Sequence, residues 1–189
     1  MLSLSRLFLF SWLVAGVVHA EPMRFELDTE RSEVRVVLGA TLHTVEGVVP
    51  VGPATFVWDA DEGSASGRVV IEAGALDTGI DARNEKMHER VLRSAEFPEI
   101  IFEATGFDLR QDGEQEMRFV LEGRLTVLGT RHAVELETHA RRRGDGSWKA
   151  RANVDVPYVE WGLEDPSLPL FSVDKYVIVE VKAVGRLTR

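Results

Sequence analysis

Along most of the chain apolar and polar side chains alternate one for one, the period of a strand buried on one face. Val34, Val36 and Leu38 alternate with Glu33, Arg35 and Val37; Phe56 and Trp58 alternate with Thr55, Val57 and Asp59; Val69, Ile71 and Ala73 alternate with Arg68, Val70 and Glu72. The rhythm returns at Ile100, Phe102 and Ala104, at Phe119 and Leu121, and at Val134, Leu136 and Thr138. Its cleanest run sets Trp148, Ala150, Ala152 and Val154 against Lys149, Arg151, Asn153 and Asp155. A last strand is predicted over 173–184, with Val177 and Val179 on its inner row. Turn residues separate the runs, as in Asp59-Ala60-Asp61-Glu62-Gly63-Ser64, Gln111-Asp112-Gly113-Glu114-Gln115, Leu128-Gly129-Thr130 and Gly144-Asp145-Gly146-Ser147. About eight strands joined by hairpin-length turns predict an all-β antiparallel meander, and closing it into a barrel removes the exposed edges.

Two segments break the alternation. Residues 82–95 fit a helix, with Asp81 as its N-cap and Pro98 barring extension. At the helical period Met87, Val91, Leu92 and Ala95 form one apolar arc that also contains His88, so the helix lies on the barrel with His88 turned toward protein. The second segment, 158–171, mixes aromatics with Pro166 and Pro169. It packs Trp161 and Phe171 on one end of the barrel or forms a loop at the mouth of a ligand cavity.

The first twenty residues read differently. Arg6 precedes the apolar run from Leu7 to Val18, and Val18-His19-Ala20 suits a signal peptidase, so residues 1–20 are predicted to be a secretory signal peptide. The apolar run is short of the roughly 20 residues a membrane helix needs, and no later segment approaches that length. Residues 21–189 then make one domain of ordinary size, expected to be periplasmic or secreted and without stable membrane insertion. That segment carries 21 basic and 31 acidic side chains, a net charge of −10 with histidines neutral, which argues against nucleic acid and anionic surfaces as partners. Arg141-Arg142-Arg143 leads into Gly144-Asp145-Gly146-Ser147 and reads as a solvated turn tip. The absence of cysteine excludes disulfides and a lipid-anchoring cysteine.

Candidate chemistry is sparse. No nucleophile elbow, zinc-protease helix motif or phosphate-binding glycine loop occurs. Asp77-Thr78-Gly79 matches the aspartic protease triplet, but that chemistry needs a second carboxylate, and here the triplet leads straight into the helix as a turn. His43, His88, His132 and His139 show no His-x-His or His-x-x-x-His spacing, so a metal would require long-range convergence, with His43 and His88 the best ligands. His139 falls on the charged face of its strand.

Several landmarks occur in order: Val45-Glu46-Gly47; Leu76-Asp77-Thr78-Gly79 followed by Arg83 and Leu92-Arg93-Ser94; Phe97-Pro98-Glu99-Ile100-Ile101-Phe102; and Gly123-Arg124-Leu125-Thr126-Val127-Leu128-Gly129. This set resembles the YceI-like family of exported polyisoprenoid-binding proteins over essentially the whole of residues 21–189. Ala95-Glu96-Phe97 is shorter than the aromatic and acidic passage of many relatives, which implies an altered barrel end. The resemblance implies a lipocalin-like barrel enclosing an elongated apolar ligand, such as a polyisoprenoid or isoprenoid quinone, with no covalent catalysis and no cofactor. The inward rows then give the cavity wall: Phe56, Val69, Ile71, Phe102, Phe119, Leu121, Val134, Leu136, Trp148, Ala150, Val177 and Val179. His43, His88 and Trp161 are the candidates for polar contacts or the mouth. Two other readings stay open at this point, a metal-binding barrel or metal-dependent enzyme using His43 and His88, and an envelope interaction module without internal ligand. A homodimer is also left open.

Overall fold

The structure, a computed structural model, describes residues 21–41, 43–167 and 172–188. The proposed signal peptide and Phe171 lie outside the described residues. Among those described there are ten strands: β1 (Met23–Leu27), β2 (Glu33–Leu38), β3 (Val45–Pro50), β4 (Thr55–Asp59), β5 (Ser64–Glu72), β6 (Glu99–Gln111), β7 (Glu116–Val127), β8 (Thr130–Arg142), β9 (Trp148–Val156) and β10 (Val177–Thr188). Every pairing between them is antiparallel.

These ten strands occupy eight positions of a closed ring. β10 pairs with β9 along one side, while its other side carries β2 over residues 178–182 and β1 over 185–188. β1 and β2 therefore lie end to end as one kinked strand, and β3 and β4 repeat the arrangement beside them. Ser32 holds the kink: its hydroxyl donates to the Val184 carbonyl at 3.2 Å and accepts from the Val184 N–H at 2.9 Å. β4 pairs with β5; just past β3 the Gly52 N–H donates to the Val70 carbonyl of β5 at 3.1 Å, and Val48 of β3 exchanges backbone bonds at 2.9 and 3.0 Å with Asp77, beyond the end of β5. The long meander from β5 to β10 completes the closed eight-position barrel. Register shifts between β5 and β6 and twice between β6 and β7 supply the local bending that closure demands.

The alternation read from sequence sets the faces. Inward rows are buried, whereas outward positions along β7 and β8 carry Arg118, Glu122, Arg124, Glu135 and Glu137. This distribution is the reverse of a barrel that faces lipid. Among the described residues no helix is long and apolar enough to cross a membrane.

Two boundaries differ from the sequence expectation. The last strand starts at Val177 rather than 173, because Val173 makes only an isolated bridge with Ala40. It continues to Thr188 because its end pairs with β1. The helix is also shorter: α1 spans Asp81–Lys86, followed by a π turn over Met87–Val91. Ile80, not Asp81, occupies the N-cap, with no side-chain cap. Arg93 ends the helical run by taking φ +48, the left-handed conformation in which a helix terminates. Its guanidinium bonds Glu96 and lies 4.9 Å from the Phe97 ring centre, holding a residue there that lacks glycine's freedom. Met87, Val91 and Leu92 still lean on the barrel as predicted, while Ala95 is exposed.

Candidate functional site: the barrel interior

The closed sheet surrounds an apolar cavity of about 170 Å³. Phe56, Val69, Ile71, Phe102, Phe119, Leu121, Val134, Leu136, Trp148, Ala150 and Val179 border it. Val177 packs instead into the apolar cluster at one barrel end. The set also includes Trp58, Met117 and Thr138, which lie outside the cavity wall expected from sequence. Each stands two positions from an expected wall residue, namely Phe56, Phe119 and Leu136, so the period-two row contains the signal.

One barrel end is closed by aromatic packing. Trp58 lies 5.3 Å from Phe107 and 6.0 Å from Phe119, Phe107 and Phe119 are 4.9 Å apart, and Phe25 is 6.5 Å from Trp58. Met117, only 1% exposed, sits in the same cluster. The middle is narrower in side chain: Ala104 and Ala152 stand among Phe102, Val134 and Leu136. Glycine makes the room there. A Cβ on Gly123 would lie 2.4 Å from the Phe102 ring, and one on Gly67 2.4 Å from the Phe56 ring, so both rings are laid against bare backbone.

The other end is covered by three pieces of chain. The helical segment contributes Leu92, Met87 and Val91, and the turn at 157–163 contributes Tyr158, Leu163 and Trp161. The segment 172–174 is stitched to the β2–β3 connection by the Ala40–Val173 bridge, the Thr41 hydroxyl donating to the Ser172 carbonyl at 2.9 Å, and the Asp174 N–H donating to the Gly39 carbonyl at 2.9 Å. The Tyr158 hydroxyl adds a bond to the Asp174 carbonyl at 2.8 Å. Burial, reinforced by Asp165 and Asp174, pushes the Tyr158 phenol up to about 12. Asp165 is held at about 2, chiefly by the Lys175 ammonium and then by Ser167.

The helix is anchored through the turn before it. The Asn84 side chain accepts from the Thr78 N–H at 2.9 Å and donates to Asp77 at 2.7 Å, while Arg83 donates to the Thr78 hydroxyl at 2.8 Å and carbonyl at 2.7 Å. Asp77 accepts the Gly79 N–H at 2.7 Å, and that bond, with the one from Asn84, lowers its pKa. The Asp-Thr-Gly triplet thus forms a turn whose carboxylate is consumed by hydrogen bonds.

The histidines are placed as follows. His43 is exposed in the β2–β3 connection. His88 is half-buried in the π turn with Nδ1 enclosed and without a partner among the described residues. His132, half-buried on the inward row of β8, stacks on Trp161 at 3.9 Å between ring centres and 4° between planes; its Nε2 is enclosed and unpartnered in the same way. His139, on the outer face, bonds Glu116 at 2.7 Å. Among the described residues no group of three or more histidine, aspartate or glutamate side chains gathers as a metal site would need.

Inside the cavity the polar side chains are few. Ser32 is satisfied by Val184, and the Thr138 hydroxyl donates to the Leu136 carbonyl at 2.9 Å. Lys182 borders the cavity but donates to Glu33 at 3.4 Å, and Arg151 is exposed. The enclosed Trp58 Nε1 has no partner among the described residues. Leaving such a group unsatisfied costs about 1–3 kcal/mol. This interior can hold a neutral apolar molecule by burial and dispersion.

The YceI-like domain profile matches residues 25–184. The chain belongs to the YceI-like family. Three solved structures share its fold. BcnA of Burkholderia cenocepacia superposes with a TM-score of 0.69 at 16% identity, covering 84% of this chain and 98% of its own. A polyisoprenoid-binding domain from Saccharophagus degradans, implicated in plant cell wall breakdown, gives a TM-score of 0.65 at 16% identity over 87% of this chain and 98% of its own. The YceI protein of Campylobacter jejuni gives 0.54 at 14% identity over 76% and 86%. At these identities the likeness is one of fold. No curated protein sequence matches the chain.

Proposed function

We propose that this YceI-like chain is an exported binding protein that holds or carries an apolar, isoprenoid-type molecule inside its barrel. The carrying observation is the apolar cavity itself. An eight-position barrel is just wide enough to be filled by its own side chains or to keep room for one small ligand, and this one keeps about 170 Å³ open between Phe102, Leu136 and Ala152. The Saccharophagus degradans relative of like fold, described as polyisoprenoid-binding, supports the ligand class. Export rests on the signal-peptide pattern of residues 1–20.

The volume sets how the ligand sits. An engineered apolar cavity of about 150 Å³ takes a benzene ring, so the space here receives a ring or a short branched segment. A longer chain would leave through the covered end, where the turn at 157–163 forms part of the cover. Each buried CH₂ contributes roughly 0.8 kcal/mol, so tight binding needs little polar recognition.

Thermal unfolding with geraniol and farnesol tests this reading. Both prenyl alcohols are expected to raise Tm in a concentration-dependent way, as any ligand bound only by the folded state must. If neither moves Tm at its solubility limit, the interior is not a prenyl site.

A further inference from the structure

The helical piece of the barrel cover is held less firmly than the pieces beside it. The turn at 157–163 is tied by the Tyr158 hydroxyl on the Asp174 carbonyl and by Trp161 stacked on His132, and the segment 172–174 by backbone bonds to Thr41 and Gly39. From residue 81 to residue 91 no side chain is buried; Leu92 is the buried anchor, with Met87 and Val91 half-buried beside it. Apart from helical backbone bonds, residues 87–92 make one hydrogen-bonded tie to another part of the chain among the described residues, the exposed Arg90–Glu164 ion pair. Such a pair contributes little and is screened by salt. In the same stretch His88 Nδ1 is enclosed without a partner among the described residues, so the closed position leaves a polar atom unsatisfied.

Both flanks of this stretch are fixed. Upstream, α1 is bound through Asn84 and Arg83 to the Asp77-Thr78 turn, and Asp77 is bonded to Val48 of β3. Downstream, the Arg93 carbonyl accepts from the Glu96 and Phe97 N–H groups at 2.9 and 2.8 Å, and Phe97 lies against Gly129, where a Cβ would stand 3.3 Å from its ring. Between the flanks the backbone is irregular at two points. The Leu92 N–H reaches back five residues to the Met87 carbonyl at 2.8 Å, a π turn, and Arg93 takes φ +48. Such turns, and non-glycine residues in the left-handed region, gather at ligand clamps and switch segments. We propose that residues 87–92 are a lid, hinged at the junction with α1 and at Arg93, which parts from the turn at 157–163 at the Arg90–Glu164 contact to admit ligand. This rests on the reading of the interior as an apolar ligand site and assigns its entrance. Opening lifts Met87, Val91 and Leu92 from the end cluster, gives His88 Nδ1 access to water, and leaves α1 and the β-barrel in place.

The absence of cysteine allows the two covers to be tied together at will. Arg90→Cys/Glu164→Cys, bridged with o-phenylenedimaleimide, is compared with the same variant capped at both thiols by N-ethylmaleimide. Stopped-flow tryptophan fluorescence with geraniol, an uncharged probe, is expected to show association at least about tenfold slower in the bridged form, since a closed lid sets the entry rate. The unaltered chain provides a second measurement independent of the variant's folding. By NMR, the Leu92 and Ser94 N–H groups, bonded to the Met87 and His88 carbonyls, should exchange at least about a hundredfold faster than the ladder amides of β7 and β8, because opening there is local. Equal association rates in the bridged and capped forms, or Leu92 and Ser94 exchanging no faster than those strands, would overturn the lid while leaving the apolar site intact. Failure of geraniol to bind the unaltered chain would overturn the ligand reading and the lid's role as its entrance together.

Discussion

Tyr158 shows how one side chain secures a covering loop: its ring is buried in the end cluster while its hydroxyl bonds the Asp174 carbonyl across the segment. Tyr158→Phe should lower the unfolding free energy by about 1 kcal/mol, the net worth of one such bond, measured by urea denaturation at pH 7. The phenol titrates near 12 in the folded state against an ordinary 10. A pKa raised by folding gives stability that is complete below pH 10 and declines as pH rises toward 12. Denaturation midpoints should therefore fall across that window in the parent chain and fall less in Tyr158→Phe. This tyrosine is not distinguishable from sequence, because its acceptor is a backbone carbonyl sixteen residues away in an irregular segment.

At the scale of elements, the strands were legible and the closures were not. Period-two patterning marked the inward rows of β4 to β9, since an alternating strand has one way to bury its apolar side. It could not reveal that β1 and β2 run end to end along β10, because that depends on Ser32 bridging to Val184, far along the chain. The helix was recognisable from its apolar arc, but its early stop was hidden by Arg93, where the left-handed conformation is held by contacts to Glu96 and Phe97 rather than by a glycine. Gly123→Ala sets a Cβ against the Phe102 ring and must push the ring toward the cavity or part β6 from β7. The variant should lose about 1–3 kcal/mol of stability and show weaker prenyl alcohol binding by calorimetry; unchanged binding in a folded variant would mean that Phe102 does not limit the cavity.

Over the whole molecule, the outer surface is charged and the inside is apolar, and the connections at the ends of the barrel are tied by exposed ion pairs. Asp145 is held at about 2, first by Ser147 and then by Arg31, linking the β8–β9 turn to the β1–β2 joint; Asp165 is held at about 2, first by Lys175. A carboxylate with a lowered folded pKa contributes stability that is present above its ordinary value of 3.8 and lost as pH falls toward 2. A double variant, Asp145→Asn with Asp165→Asn, should be less stable than the parent at pH 7, and the gap in urea midpoints should narrow steadily as pH falls from 4 to 2. The fold class and most of the interior wall could be read from sequence, because burial on one face of each strand dictates both. The free volume could not, since it is what remains after ring placement by Gly67 and Gly123 and side-chain choice at Ala104 and Ala152. Ligand binding inside the barrel depends on that volume. Native mass spectrometry of gently purified protein, followed by organic extraction, tests it when the parent is compared with Ala150→Leu/Ala152→Leu, which fills the cavity from β9. The parent should carry an apolar adduct that the folded variant lacks; an adduct retained by both, or found in neither, would contradict a ligand held inside the barrel.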